Sequence, residues 1–240
     1  KEIFACSQAN CNHDIADFKS DKINCNAIVK GQAKYPFIYN KRLYYFVITG
    51  DTSVLWSSKT DGTDKKEVSE LEFPIYESAE YVLHDDSVFV ASYKAVITEQ
   101  GTNKQEQTGA DAEVYQINLS DGKTDKLTEL GNKADAYCST VQFFDNKLFV
   151  RYESRGKTYK EAGFKDVDHF MVWMESDKFS YAEQIERLDE KKEYYTYDFE
   201  TKKTEKFDID FESNFEPYKG IKNMDGAYWL LCYSNDTAYY

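Results

Sequence analysis

Short apolar and aromatic segments alternate with small clusters of turn residues along most of the chain. Two such segments separated by two or three polar residues are typical of a β-hairpin. Asp61-Gly62 and Asp121-Gly122 are the strongest turn signals, because an Asp-Gly pair adopts the positive φ angles of tight hairpin turns. The predicted turns lie at Asn40, Asp61, Asp85, Asp121, Asp145 and Thr201.

Pairs of hairpins recur as a four-stranded unit. The first hairpin of successive units turns at Asn40, Asp85, Asp145 and Asp225. A second hairpin follows it in the first three units, and four antiparallel strands in a repeated unit are typical of a β-propeller blade. The sequence therefore predicts an all-β fold, with an N-terminal Cys/His segment at 1–32 and a partial β-propeller at 33–240 of about three and a half blades.

Two insertions interrupt the units. Residues 93–112 are polar and contain glycine, which predicts a loop. Residues 156–192 contain a capping box at Ser180 to Glu183, which predicts one short helix over 181–191. The apolar segment 168–174 just before it either packs back on the blade or forms a contact surface.

The composition suits this fold and limits the partners. Tyr and Phe number 20 and 16, and these residues fit the half-buried surface of a pleated sheet. The formal net charge of −13 repels phosphate backbones and anionic lipid headgroups, so nucleic acid is not expected as a partner. No run of apolar residues approaches the roughly 18 needed to cross a bilayer.

The first twenty-five residues contain the clearest candidate chemistry. Cys6, Cys11, His13 and Cys25 supply three thiolates and an imidazole, a ligand set that Zn²⁺ accepts in tetrahedral geometry. We therefore predict a structural zinc site at these four residues. Two other interpretations remain open: a disulfide between two of the cysteines, as expected in an oxidising compartment, or free thiols.

The two ends of the chain also carry expectations. Lys1 is not preceded by an initiator Met or a signal-peptide pattern, so we expect a cleaved leader or an expression boundary before it. The fourth unit breaks off at Tyr240, so we expect a longer parent protein. An unpaired strand edge recruits other chains, which predicts self-association through the terminal strands or their pairing with the N-terminal segment.

The repeat resembles a known family. Leu43-Tyr-Tyr-Phe, followed from Leu55 by Trp-Ser-Ser-Lys-Thr-Asp-Gly, is similar to the repeats of TolB-like propellers in secreted Gram-positive lipoproteins. The segments at Cys6, Cys11-Asn-His and Cys25-Asn-Ala resemble a Cys/His segment that precedes the propeller in clostridial lipoproteins of unknown function. The resemblance implies a propeller fold and an extracellular, cell-surface address, with the parent anchored by an N-terminal lipid that has been lost.

Adjacent tyrosines place one ring on each side of a strand, as at Tyr44-Tyr45 and Tyr194-Tyr195. Two interpretations follow. Neighbouring blades bury both faces, or the outward rings line the central mouth and bind a sugar or a peptide.

No complete catalytic motif accompanies His84 or His169, because no Gly-x-Ser-x-Gly elbow is present. We predict no catalytic residue and no cofactor other than zinc. The sequence favours a non-enzymatic binding or scaffold module with a protein or carbohydrate partner at the cell surface. One alternative is part of a carbohydrate-active or peptidase-associated enzyme whose active residues lie outside this fragment. A metal-handling protein is another.

Overall fold

The computed structural model describes residues 6–7, 9, 11, 25–29, 31–75, 81–99, 105–131, 133–144, 146–207, 232–234 and 237–239. Strands make up 52% of the structure and helices 10%, which confirms the all-β prediction. No helix in the described ranges has the length and apolar content needed to cross a membrane.

The strands form three four-stranded antiparallel sheets. The first contains β1 (Gln32–Tyr39), β2 (Arg42–Thr49), β3 (Thr52–Lys59) and β4 (Lys66–Leu71), paired in that order. The second begins with β5 (Val82–His84) and β6 (Ser87–Ala91); the separate hairpin of β7 (Lys94–Glu99) and β8 (Gln105–Asp111) follows, and then β9 (Val114–Asn118) and β10 (Thr124–Lys126) complete the sheet. The third contains β11 (Asp135–Phe144), β12 (Lys147–Arg155), β13 (Glu190–Asp198) and β14 (Lys203–Phe207).

Each of the three predicted units is thus one sheet, and its strands pair in chain order. The predicted turns at Asn40, Asp61, Asp85, Asp121 and Thr201 are confirmed. Asp145 and Asp225 lie outside the described residues. A further hairpin of β15 (Cys232–Ser234) and β16 (Thr237–Tyr239) is described in the last unit.

The predicted loop at 93–112 is wrong, because most of it is the β7–β8 hairpin. Val96 and Ile97 occupy a break in its register, so the hairpin is irregular. Polar residues obscure its strand pattern in the sequence. The chain then enters β9 through Ala112 and Glu113, which are both buried.

The 156–192 insertion contains two helices and not one. The predicted second helix is α2 (Tyr181–Leu188); it ends earlier than expected because Asp189 adopts a left-handed conformation with φ 51°. Ser180 precedes α2, but its side chain makes no capping hydrogen bond. The apolar segment forms α1 (Val167–Met174), where Asp166 accepts a hydrogen bond from the backbone N–H of His169.

The second sheet lies face to face between the other two. Alternate residues of its central strand β6 point to opposite sides, as the period of a strand requires. Val88 and Val90 pack with the apolar face of the first sheet, and Phe89 and Ala91 pack with that of the third. Both faces of the middle sheet are therefore buried.

Three of the four paired tyrosines are buried, and Tyr195 is half-buried. Tyr44 and Tyr45 are only 5% and 4% exposed although they point to opposite faces of β2. Tyr194 is also buried, and its ring stacks on Phe149 with centroids 5.7 Å apart. These rings serve the core, because their large apolar areas stabilise the packed faces.

Gly122, in the turn between β9 and β10, touches the first sheet. Its φ is +73°, and a Cβ atom there would lie 1.9 Å from the carbonyl oxygen of Val68 in β4. We expect Gly122→Ala to lower the free energy of unfolding by about 2–4 kcal/mol, because left-handed strain and overpacking add. Urea unfolding with an unchanged m value measures this loss.

Gly163 supplies the matched control. Its φ is +86°, yet no atom lies within 4 Å of a Cβ built there. Gly163→Ala should therefore cost only about 1 kcal/mol, the backbone contribution alone. Equal losses in the two variants would show that the approach of Gly122 to Val68 does not stabilise the contact between the sheets.

Candidate functional site

Two backbone hydrogen bonds join the start of the 156–192 insertion to its end. The backbone N–H groups of Gly156 and Lys157 donate to the carbonyl oxygens of Asp189 and Leu188, both at 3.1 Å. These two bonds continue the pairing of β12 with β13 beyond Arg155. These hydrogen bonds therefore fix the two points at which the insertion leaves the third sheet and rejoins the sheet.

A small aromatic core holds the two helices together. Phe164, Phe170 and Leu188 are buried in it, and Trp173 packs against them. Arg187 places its guanidinium 5.3 Å from the ring centres of both Phe164 and Trp173, within the range of cation–π attraction. The insertion is thus an ordered structure with its own packing.

A cleft of about 530 Å³ separates this insertion from the end of the third sheet. The sheet contributes Asp135, Tyr137, Glu153, Arg155, Glu190 and Lys192. The insertion contributes Tyr159, Phe170, Tyr181, Gln184 and Ile185. The volume lies within the range of small-molecule sites, which combine apolar walls with a few polar groups.

Arg155, the last residue of β12, is the most buried cation of the cleft. It is 7% exposed, and its guanidinium lies 4.1 Å from the ring centre of Tyr159. Its Nε atom is buried without a hydrogen-bond partner in the described part of the chain. Asp135 and Glu190 lie opposite it on the two neighbouring strands.

Gln184 faces the same cleft from α2. Its Nε2 donates to Oε1 of Glu190 at 2.9 Å, which fixes the orientation of the amide. Its Oε1 is buried and lacks a donor among the described residues. Both residues line the cleft, but these two atoms are covered by the protein and are not exposed to it.

Glu153 is held between two side chains on the sheet side of the cleft. The hydroxyl of Tyr137 donates to its Oε2 at 3.0 Å. The Nε of Arg151 lies 3.1 Å from its Oε1. These contacts fix the position of the carboxylate on the sheet side of the cleft.

The three predicted cysteine ligands converge on one point. The sulfur atoms of Cys6, Cys11 and Cys25 all lie within 4.8 Å of one another, and the three residues are partly exposed. In a tetrahedral zinc site with Zn–S bonds of about 2.3 Å, the sulfurs are about 3.8 Å apart. This cluster could therefore hold a metal ion. His13 lies outside the described residues.

The cysteine cluster adjoins the first sheet. Lys65 donates from Nζ to the carbonyl oxygen of Ile28 at 2.6 Å, which ties the segment 25–29 to the turn between β3 and β4. Burial lowers the pKa of Lys65, and the charges of Cys25 and Cys6 partly oppose that shift. Lys65 therefore lies close to the thiols of Cys25 and Cys6.

The structure describes two of the histidines, and both contact neighbouring residues. His84 stacks on Phe143 with ring centres 3.6 Å apart and lies 3.3 Å from a carboxylate oxygen of Asp85. His169 accepts a hydrogen bond at Nδ1 from the backbone N–H of Lys165 at 3.1 Å. These contacts orient both imidazole rings.

The sequence does not reveal the cleft residues. Arg155 looks like an ordinary charged residue at the end of a strand, and Gln184 looks like a polar position on an amphipathic helix. The available signal is indirect: the insertion leaves the unit immediately after Arg155, so this side chain lies beneath it.

Comparison with known proteins assigns no family. No protein-family model and no curated protein matches the chain. YjhT overlaps at 13% identity and TM-score 0.40, covering 74% of this chain and 50% of its own. A single-residue variant of the Synechocystis apocarotenoid oxygenase overlaps at 10% identity and TM-score 0.42, covering 75% and 40%.

An ACO/RPE65 chimera overlaps at 11% identity and TM-score 0.43, covering 75% of this chain and 39% of its own. The chain thus spans half or less of the length of these proteins. At such scores the likeness establishes neither a family nor a function.

Proposed function

We propose that the chain is a non-enzymatic binding module, built on a partial β-propeller and displayed at the cell surface. The observation that carries the proposal is the cleft between the third sheet and the helical insertion. Its lining combines tyrosine rings with polar side chains that hydrogen bonds hold in place. Pockets of this size with apolar walls and a few polar groups are typical ligand-binding sites.

The propeller interpretation is supported by the stacking of the sheets. Each sheet is a four-stranded antiparallel meander, and the middle one is buried on both faces by its neighbours in the chain. Blades of a propeller stack in this way around a central axis. The cell-surface address rests on the resemblance of the repeat and of the Cys/His segment to those of secreted lipoproteins.

The ligand that suits the cleft is a carbohydrate or a segment of a surface protein. Tyr181 is 45% exposed at the edge of the cleft, so its ring is available to a ligand. Aromatic rings contribute a large contact area at small entropic cost. Tyr137 and Tyr159 add two further rings to the same lining.

We also propose that the cysteine cluster holds a structural zinc ion together with His13. The three sulfurs already occupy positions compatible with three corners of a tetrahedron. A structural ion would hold the segment that contains Cys25 against the first sheet beside Lys65. Its role would be structural, because zinc binding supplies folding free energy to a segment poor in apolar residues.

A binding screen tests the proposed function. The purified chain is applied to an array of saccharides and envelope proteins from Gram-positive cells, beside Tyr181→Ala and Met171→Ala. Tyr181→Ala is expected to weaken binding about tenfold, the value of one lost aromatic contact. Met171 is 48% exposed on α1 and does not line the cleft, so its variant should bind like the parent. No binding by the parent, or equal loss in both variants, would contradict the proposal.

A further inference from the structure

A second pocket lies on the face of the first sheet that points away from the second sheet. Tyr45 and Val47 of β2 and Val54 and Trp56 of β3 line this pocket. Phe46, between the two residues of β2, packs into the core shared with the second sheet, so its neighbours point to the opposite face. Tyr45 pairs with Trp56 and Val47 pairs with Val54 across the two strands. The four side chains therefore form one continuous apolar floor.

The segment 25–29 forms the opposite wall of this pocket, which Ile28 lines from that side. The Nζ of Lys65 donates to the carbonyl oxygen of Ile28 at 2.6 Å, which holds the segment at the edge of the first sheet. The chain also passes close to Val47, because a Cβ atom at Gly31 would lie 2.7 Å from Cγ1 of that side chain. The pocket is therefore a space between two parts of the described chain, and its volume is about 790 Å³.

The charged side chains Asp64 and Lys65, which line the pocket, already have partners in the protein. The carboxylate of Asp64 lies 2.8 Å from Nη1 of Arg42. Lys65 donates to a backbone carbonyl, and burial lowers the pKa of its amino group. The hydroxyl of Thr63, in the same lining, donates to Oδ1 of Asp61 at 2.6 Å. A charged ligand could therefore pair with these groups only at the expense of contacts within the protein.

Contact with the apolar floor is thus the main source of affinity that the pocket offers. Burial of apolar surface is favourable in proportion to its area, whereas removal of an unpaired charge from water is unfavourable. Trp56 lines the pocket and is only half-buried. Flat rings pack well against an indole, in offset-stacked or edge-to-face arrangements. The volume of the pocket lies within the range of small-molecule sites.

We propose that this pocket binds an uncharged, hydrophobic ring compound between the first sheet and the segment 25–29. The rings of the ligand lie on the apolar floor beside Trp56. The site is separate from the cleft at the third sheet, because no described residue lines both. It therefore gives the chain a second class of ligand, independent of the partner proposed for the cleft.

Fluorescence titration with two dyes of the same ring skeleton tests the inference. Phenylnaphthylamine is uncharged, and anilinonaphthalene sulfonate carries the same rings with one sulfonate group. We expect one phenylnaphthylamine per chain, bound about tenfold more tightly than the sulfonate, because the sulfonate leaves water without gaining a charged partner. Energy transfer from Trp56 should reach the bound dye. Trp56→Phe should therefore remove most of this transfer, whereas Trp173→Phe, in the helical insertion, should remove little of it.

Variants of the lining locate the dye. Val54→Asn places a polar amide in the apolar floor and should weaken the binding of phenylnaphthylamine about tenfold. Thr49 is exposed and lines the pocket, so Thr49→Trp fills part of the space and should weaken binding even if Val54→Asn does not fold. Val96→Asn is the matched control, because Val96 is 47% exposed on β7 and does not line the pocket.

No binding of phenylnaphthylamine by the parent, or equal affinity for the two dyes, would overturn the inference. Undiminished binding by Thr49→Trp and by a folded Val54→Asn, or an equal loss in Val96→Asn, would overturn it as well. Energy transfer that depends on Trp173 would place the dye elsewhere. Sedimentation of the same samples tests the other occupant: a parent dimer that Thr49→Trp or Val54→Asn converts to monomers would show that a second copy of the chain covers this face, and the inference would fail.

Discussion

Glu113→Ala is expected to be among the most destabilising single substitutions in the described chain. Glu113 is 1% exposed, and its carboxylate accepts hydrogen bonds from the hydroxyl of Thr128 at 2.5 Å and from the backbone N–H of Leu130 at 3.0 Å. Lys126 adds an ion pair at 3.4 Å. Removing the carboxylate leaves the buried hydroxyl of Thr128 and the half-buried N–H of Leu130 without their acceptor, so we expect a loss of about 3–5 kcal/mol in the free energy of unfolding.

Two further variants separate the hydrogen bonds from the charge. Glu113→Gln keeps one acceptor, so it should lose about 1–2 kcal/mol less than the alanine variant. Glu129→Ala removes an exposed carboxylate from the same segment and should change stability by no more than about 0.5 kcal/mol. Urea unfolding of all three measures the differences. A Glu113→Ala variant as stable as Glu129→Ala would show that the buried network contributes nothing.

Removal of zinc is the second large effect that we expect. The purified chain should contain one zinc ion per molecule, and a chelator should release the N-terminal segment to protease while the far-ultraviolet β signal persists. Cys25→Ser or His13→Ala should weaken zinc binding by more than the roughly 10–100-fold that loss of an outer-sphere partner costs. Metal content and thiol count measured on the same sample give the result.

Cys138 provides the control for that experiment. It is fully buried in the core between the second and third sheets, and burial raises the pKa of its thiol. Cys138→Ala should reduce stability yet leave the zinc content unchanged, because the residue lies outside the cluster. A parent chain without zinc, together with an unchanged melting temperature of His13→Ala, would end the metal hypothesis and leave a disulfide or free thiols, which the thiol count distinguishes.

The regular part of the fold was predictable because local rules dominate it. Alternating apolar residues and Asp-Gly turns place β3, β4, β9 and β10 correctly, since a hairpin depends on neighbours in the sequence. The β7–β8 hairpin was not found, because its second strand, β8, is mostly polar and contains Gly109. β8 lies beside β11 of the third sheet, and no short window of sequence displays that contact.

Of the two candidate sites, one could be predicted from the sequence and the other could not. Three candidate metal ligands could be proposed from residue type alone, because thiolates bind metal ions wherever the chain brings them together. The cleft could not, since its character comes from the position of Arg155 under an insertion that rejoins the sheet at Asp189. Burial turns an ordinary surface pair, arginine and glutamine, into unsatisfied groups, and burial is a property of the tertiary structure.

Hydrogen exchange of the chain, with and without the saccharide or surface protein that the array retains most strongly, tests the central claim most directly. The account predicts slower exchange at residues 153–159 and 181–192, which contain most of the residues that line the cleft. It predicts no change in the first sheet at residues 52–71. Protection confined to the first sheet, or no protection at saturating ligand, would contradict a binding function for the cleft.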